Sequence, residues 1–148
     1  MTIATAEREL LAHAPFFSGL SGAQIGRLAA IGHVRAYPQD TRIYAIGDPV
    51  DDFYVLADGM VRFTLGLGKR ETSAGDFMRR GDVFGWAALV EGYSRRIATA
   101  YCLTACSVVA LAGADLHTAM ETDHRLGYAV MKRLTVLLTS ELTSFAAG

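Results

Sequence analysis

The sequence predicts a mainly β fold, a barrel or jelly roll of about eight short strands with helices before and after it. Short strand-like segments follow one another from His33, and turn residues separate them. Helical periodicity occupies the chain before His33 and after Gly113. The 148 residues suit one domain, and a hydrophobic fraction of 51% is enough to bury a core.

The first part of the chain predicts two short helices. Residues 3–13 form the first, and Pro15 and Gly19 interrupt the pattern after it. Ser21 is a good N-cap for a second helix that runs to about Ile31, because its hydroxyl can accept a hydrogen bond from a free helical N–H.

The middle of the chain predicts the strands. Asp58-Gly59 is a strong hairpin signal, because both residues tolerate the positive φ angles of a two-residue turn. The remaining boundaries fall at similar clusters of Gly, Pro and Asp. The predicted strands are 33–37, 41–46, 53–57, 60–67, 71–78, 96–103 and 105–111.

The last part of the chain predicts a short helix over 115–122 and a long helix over about 124–146, with Asp123 as the N-cap of the second. The long helix has an apolar stripe that either packs against the barrel or pairs with a second copy of the chain. A homodimer through this C-terminal helix is therefore a hypothesis. The stripe contains Leu126, Val130, Leu134, Leu137, Leu138 and Phe145.

Composition excludes several classes of function. The net charge of −1 argues against nonspecific binding to nucleic acid, which needs a basic surface. No apolar run is long enough to span a membrane, and the N-terminus lacks the apolar core of a signal peptide. A cytoplasmic location is therefore predicted.

The sequence also offers little chemistry for catalysis or for metal binding. Its two cysteines, Cys102 and Cys106, give no disulfide framework, and no further Cys/His pair has the spacing of a zinc site. The four histidines are scattered, and no nucleophile, paired-carboxylate or P-loop pattern stands out. We expect neither an enzyme, nor a metal site, nor a cofactor.

The segment Gly81–Leu89, followed by Arg96, carries the clearest chemical signal. Glycines at 81 and 85 allow close approach of the backbone to a ligand, and a short helix is predicted to begin at once. Free N–H groups at a helix start and an arginine fork both suit phosphate oxygens. Arg96 could instead be a surface arginine paired with Glu91, and the glycines could serve only turn geometry.

Several ordered motifs give the chain a resemblance to the cyclic nucleotide-binding domain. This family includes catabolite-activator-like regulators, protein kinase A regulatory subunits and cyclic-nucleotide-gated channels. The motifs occur in the family's order along nearly the whole chain. They are Pro15–Leu20, Gly47-Asp48, Phe53–Gly59, Gly81–Gly85 and Arg96–Thr99.

The resemblance implies an eight-stranded jelly-roll barrel, or double-stranded β-helix, over residues 33–112. N-terminal helices would occupy 1–32 and C-terminal helices 113–148, all in one domain. Its signature pocket is a phosphate cassette, in which Gly85 and Ala87 would offer N–H groups and Arg96 would pair with the cyclic phosphate.

The implied site extends to two of the residues that follow Arg96. The residue after the arginine often contributes a hydroxyl or backbone contact, and Ile97 leaves only its N–H for that role. Thr99 lies two residues further on. Its side chain could either face the ligand or point away from it and have a structural role.

Trp86 departs from the family pattern, which usually has a glutamate at this position to accept a hydrogen bond from the ribose hydroxyl. An indole offers only an N–H donor. A buried hydroxyl without a partner costs about 1–3 kcal/mol. Trp86 could therefore weaken the sugar site, plug the pocket, or stack on a purine instead.

The far end of the long helix also departs from the family. An ungapped count places Glu141 and Leu142 where bacterial regulators use small hydroxyl residues against the purine. A carboxylate near an anionic ligand is unfavourable unless it meets an amino group of the base, which makes Glu141 a candidate ligand contact.

Two hypotheses follow. In the first, the chain is a ligand-sensing regulatory module that binds a cyclic nucleotide such as cAMP or cGMP, or a related small anion, and signals through its C-terminal helix. In the second, Trp86 plugs a degenerate pocket, and the domain acts through protein contacts or dimerisation. We expect no direct DNA contact and no membrane contact, an unknown downstream protein partner, and a complete small protein that begins at Met1.

Overall fold

The computed structural model describes residues 5–66, 68–92 and 94–147, without the side chains of 74–76 and 141–147. In this part of the chain, eight strands form two four-stranded antiparallel sheets. The strands are β1 His33–Tyr37, β2 Arg42–Tyr44, β3 Asp52–Asp58, β4 Val61–Leu65, β5 Thr72–Met78, β6 Val83–Phe84, β7 Thr99–Cys102 and β8 Cys106–Ala112. The sheet orders are β1-β8-β3-β6 and β2-β7-β4-β5, which confirms the predicted jelly-roll fold.

Helices cover one face of the first sheet. They are α1 Thr5–His13, α2 Gly22–Ile31, α3 Gly113–Thr122 and α4 His124–Ala147, with a short 3₁₀ helix at Pro15–Phe17. None of the helices in the described residues is long and apolar enough to span a membrane.

Strand β3 separates two apolar layers. Phe53 and Val55 on one face join the cluster beneath the helices, while Tyr54 and Leu56 on the other face point into the space between the sheets. Residues 52–57 are all buried, because both faces of the strand are covered. The interior layer between the sheets is completed mainly by small and aromatic residues.

The predicted strand over 96–103 begins only at Thr99. The preceding residues run irregularly, because the backbone of Arg96 pairs with a turn rather than with a barrel strand. Its N–H donates to Asp48 O, and its carbonyl accepts from Gly47 N, each at 2.8 Å. Strand β6 has only two residues, too few to show an alternation in the sequence.

The predicted helix caps are confirmed. Ser21 and Gln24 form a reciprocal capping box at the start of α2. The Asp123 carboxylate accepts from the N–H groups of Arg125 and Leu126, at 3.1 and 3.2 Å, and also from the Gln24 side chain at 3.1 Å. Asp123 therefore ties the start of α4 to α2.

The apolar stripe of α4 packs on its own domain over its first turns. Leu126, Val130 and Leu134 are buried in the cluster beneath the helices. Leu137 and Leu138 are partly buried against the same cluster, and the side chain of Phe145 lies outside the described residues. Packing on the barrel thus accounts for most of the stripe, and the homodimer stays a prediction.

Replacing Asp123 should reveal how its charge contributes to stability. The hydrogen bond from Gln24 and those from the helix N–H groups lower the pKa of this carboxyl below 3.8. A lowered folded pKa means that the contribution is fully present above about pH 5 and is lost as the pH falls through the folded value. We expect Asp123→Asn, which keeps a cap acceptor, to lower Tm slightly at pH 7, and we expect this difference from the wild type to shrink as the pH falls through the folded pKa.

Asp123→Ala is the matched comparison, because it removes the acceptor as well as the charge. We expect its Tm to lie below that of Asp123→Asn at every pH. A difference between wild type and Asp123→Asn that does not change between pH 7 and pH 2 would contradict this assignment.

Candidate anion-binding site

The candidate site begins where β6 ends. Gly85 adopts a left-handed conformation, with φ 78° and ψ 33°, and caps a short 3₁₀ helix at Trp86–Leu89, which we call the cassette helix. The Ala88 N–H donates to Gly85 O at 3.1 Å. The left-handed turn explains a glycine at this position, and the predicted short helix is present.

Arg96 is buried against this turn. It is 3% exposed, and its Nη1 donates to Gly85 O at 3.2 Å while its Nη2 donates to Asp52 O at 2.6 Å. The Asp51 carboxylate lies 3.9 Å from Nη2 but is 74% exposed, so this ion pair contributes little. The guanidinium therefore bridges the cassette turn and the start of β3.

Aromatic rings line the barrel interior beneath the guanidinium. The guanidinium carbon of Arg96 lies 4.1 Å from the centre of the Tyr44 ring and 5.8 Å from that of Tyr54. The Tyr54 and Phe84 rings stack at 5.0 Å. Burial raises the pKa of the Tyr54 phenol, so this wall stays neutral while its π faces attract the cation.

The neighbouring arginine faces the other way. Arg95 is exposed, and its Nη1 lies 3.4 Å from Gly47 O. The two backbone bonds of Arg96 to the turn at 47–48 fix which of the two side chains enters the barrel. The interpretation of Arg96 as a surface arginine paired with Glu91 is wrong, because its side chain is inside.

One donor of the buried guanidinium lacks an acceptor. Among the residues that the structure describes, none accepts a hydrogen bond from Nε of Arg96. A buried donor left unpaired costs about 1–3 kcal/mol. The buried guanidinium of Arg96 can therefore donate a further hydrogen bond from Nε to an oxygen acceptor.

The model of the cyclic nucleotide-binding domain matches residues 34–123, which include all eight strands but for the first residue of β1, and also the cassette helix and Arg96. The chain belongs to the cyclic nucleotide-binding domain family. No curated protein sequence matches the chain.

Solved structures of this family share the fold. A cyclic nucleotide-binding domain from Methylobacillus flagellatus has a TM-score of 0.78 at 21% identity, covering 94% of this chain and 79% of that one. The catabolite activator protein of Thermus thermophilus has 0.75 at 27%, covering 90% and 60%. The regulatory domain of Toxoplasma gondii protein kinase A with cAMP has 0.73 at 20%, covering 90% and 48%. The chain therefore spans about half to four fifths of these three chains.

The structure brings three of the predicted site residues of this cyclic nucleotide-binding domain together. Gly85 and Arg96 are in direct contact, and Ala87 is buried in the cassette helix. Ile97 is 49% exposed, with its side chain on the surface. The Thr99 hydroxyl is buried and accepts from Ile46 N at 2.9 Å, so it holds the chain after β2 in place.

Trp86 lies on the helix side of the cassette. Its half-buried side chain packs against the cluster beneath the helices, not against the aromatic wall inside the barrel. The residues that fill the barrel below Arg96 are Tyr44, Tyr54 and Phe84. The side chain of Glu141 lies outside the described residues.

Sequence reasoning missed the aromatic wall and the carbonyl acceptors. Tyr44 and Tyr54 stand in predicted strands, and neither motif nor spacing distinguished them from other strand aromatics. The register could have helped, because Tyr54 alternates with Phe53 and only one of the two can face the interior. Backbone acceptors such as Asp52 O carry no sequence signal.

Two cavities in the described residues lie away from Arg96. One, of about 330 Å³, borders α1 and includes His13, Arg80 and Gly81. The other, of about 310 Å³, lies between α3 and α4. Beside the cassette, the buried guanidinium of Arg96 lies over the Tyr44 ring.

Substituting Gly85 should cost more stability than substituting another left-handed glycine. A Cβ at Gly85 would lie 3.0 Å from the Tyr54 ring and 3.2 Å from both Arg96 Nη1 and Asp52 O. Gly81 has φ 90° but open space around it, so Gly81→Ala serves as the matched control. We expect a loss of about 1–2 kcal/mol for Gly81→Ala from the left-handed backbone alone. Gly85→Ala should lose roughly a further 1–3 kcal/mol from overpacking.

Urea unfolding of both variants measures this difference. Equal losses would show that Arg96 and Tyr54 do not crowd the cassette turn in solution.

Proposed function

We propose that this domain is a regulatory module that binds a cyclic nucleotide, or a related small anion, through the cassette turn and Arg96. The observation that carries this proposal is the buried guanidinium with an unpaired Nε, held directly beneath the left-handed glycine. A phosphate oxygen is the acceptor that best suits such a cation. The family fold supports the same class of ligand.

Binding would exchange acceptors around the guanidinium. Phosphate oxygens would replace the carbonyls of Gly85 and Asp52, and a charge-assisted pair is stronger than a bond to a neutral carbonyl. The cassette turn would rearrange once Arg96 leaves Gly85 O. The ligand shifts the population only by its preference for that rearranged state.

The change would reach the C-terminal helix through α3. The N–H of Gly113, at the start of α3, donates to Asp51 O at 2.8 Å, one residue from the carbonyl that Arg96 holds. Helices α3 and α4 pack together through Met120 and Gly127. Movement of the C-terminal helix is therefore the proposed signal.

One observation favours a second candidate function. The Nη donors of Arg96 already have protein acceptors, and the guanidinium lies over the Tyr44 ring. A degenerate domain, closed by its own side chains and acting through protein contacts, fits this arrangement. The closing residues would then be the aromatic wall rather than Trp86.

Arg96→Lys should weaken nucleotide binding while Arg95→Lys should not. Both variants keep the net charge, but only Arg96→Lys removes the planar fork from the barrel. We expect about a 10- to 100-fold loss of affinity for cAMP or cGMP, the value of one charge-assisted hydrogen bond. Calorimetry with cAMP, cGMP, a cyclic dinucleotide and linear AMP measures it, with circular dichroism as the folding control.

The outcomes separate the two candidate functions. Binding by the wild type that Arg96→Lys loses selectively supports ligand sensing through the cassette. Equal binding by both variants would show that the anion sits elsewhere. No binding of any of these ligands at millimolar concentration would leave the degenerate domain as the function.

In the ligand-bound domain the rearranged cassette turn would bring residue 86 from the helix side toward the ribose, and Trp86→Glu should then strengthen binding of ribose-containing ligands. A carboxylate can accept the hydrogen bond from the 2′-hydroxyl that an indole cannot. We expect about a tenfold gain or more for cAMP over wild type. Trp86→Gln is the matched variant without the charge, since its amide oxygen also accepts. Neither variant should gain affinity for 2′-deoxy-cAMP. A gain that is equal for cAMP and the deoxy ligand would refute a sugar contact at this position.

A further inference from the structure

The cavity beside α1 is separate from the candidate anion-binding site. It lies between the end of α1, with the 3₁₀ helix that follows, and the turn that joins β5 to β6, and none of its lining residues belongs to the cassette helix. Its volume of about 330 Å³ falls within the range of about 300–1,000 Å³ that is usual for ligand pockets. The cavity is therefore large enough for a small organic molecule.

Part of the cavity lining is apolar. Leu10 and Ala14 are 6% and 1% exposed, and Pro15 adjoins them in the lining. The Ala14 N–H donates to Leu10 O at 2.9 Å, so the helical geometry continues to this point. Residues four apart in such geometry lie on one face. These two residues thus offer an apolar surface to a short aliphatic group.

The turn between β5 and β6 supplies a cation whose position is fixed. Nη1 of Arg80, which lines the cavity, donates to Ala57 O at 2.6 Å. The N–H of Gly81 donates to Leu56 O at 2.8 Å and holds the turn itself. A guanidinium has five N–H donors, and the bond to Ala57 uses one of them. The remaining fork suits a carboxylate.

Helix α1 supplies acceptors to the same cavity. Glu9 and His13 both line it, and they lie four residues apart on one face of the helix. Nδ1 of His13 lies 2.8 Å from Glu9 O and donates to it, since a carbonyl can only accept. Nε2 of the neutral ring is then an acceptor. The C-terminal end of a helix also carries partial negative charge, so this side of the cavity suits an ammonium group.

The opposite charges of the cavity do not neutralise each other. Glu9 and Arg80 line the same space, yet neither belongs to an ion pair in the described part of the chain. Charges of opposite sign that do not reach each other can be bridged by a ligand that carries both signs. Such a ligand would also find an apolar surface between them.

We propose that this cavity binds a free α-amino acid with a short aliphatic side chain. The ligand carboxylate pairs with Arg80, and the ligand ammonium pairs with Glu9 and with Nε2 of His13. The aliphatic side chain lies on Leu10 and Ala14. This site does not depend on the proposed cyclic nucleotide site, because the two share no side chain.

A nuclear magnetic resonance titration of the full chain with L-leucine tests the proposal. The amides of Leu10, Ala14 and Gly81 report on the cavity, and that of Val109 in β8 is the reference. N-acetyl-L-leucine, which lacks the ammonium, and L-leucinamide, which lacks the carboxylate, are the matched ligands. We expect L-leucine to shift the cavity amides saturably, and each blocked ligand to bind at least about tenfold more weakly. No shift with L-leucine at millimolar concentration, or equal binding of all three ligands, would overturn the proposal.

Variants then assign the charged partners. Arg80→Gln and Arg79→Gln each remove one positive charge from the same turn, but Arg79 does not line the cavity. We expect Arg80→Gln and Glu9→Gln each to weaken binding of L-leucine about 10- to 100-fold, and Arg79→Gln to leave it nearly unchanged. Equal weakening by the two arginine variants would overturn the pairing with Arg80. If Arg80→Gln does not fold, the blocked ligands on the wild type decide alone.

Discussion

The burial of a single guanidinium governs the organisation of this domain. A charge moved out of water is costly unless the protein supplies acceptors. In the described part of the chain, the guanidinium of Arg96 donates to two backbone carbonyls and lies beside two aromatic rings, and the carboxylate that pairs with it, Asp51, is 3.9 Å away and exposed. The backbone of Arg96 is hydrogen-bonded to the turn at 47–48, and Gly85 leaves room for the Arg96 side chain. The strand that follows begins only at Thr99.

The molecule has one apolar layer beneath the helices and a second between the sheets. Beneath the helices, residues such as Phe53, Val55 and Leu126 form a continuous apolar cluster. Inside the barrel the cation sits on rings, and its acceptors are neutral carbonyls that a phosphate could replace. Under the proposed function, an anion would compete with the contacts that hold Arg96 in the unliganded domain, so affinity and internal packing would be linked.

The sequence could predict the jelly roll because its signals are local. Asp58-Gly59 and the caps at Ser21 and Asp123 specify their own turns and helix starts. The pose of Arg96 was beyond such reasoning, because it depends on backbone partners far away in the chain and not on strand alternation. The same limit applied to Trp86. Its residue type allowed a plug or a stacking platform, and only the packing of the cassette against the helices placed it outside the barrel.

The cassette helix connects the two layers because it has partners on both sides. Gly85 O, at its cap, accepts from Arg96 in the barrel, and Ala88 O accepts from His117 on the helix side. The Ala88 N–H in turn donates to Gly85 O, so the two contacts are one hydrogen bond apart. Under the proposed function, a ligand that draws Arg96 away from Gly85 O would shift the turn on which α3 rests. The proposed signal then needs no long pathway to α3, since the candidate site and α3 contact the same turn of backbone.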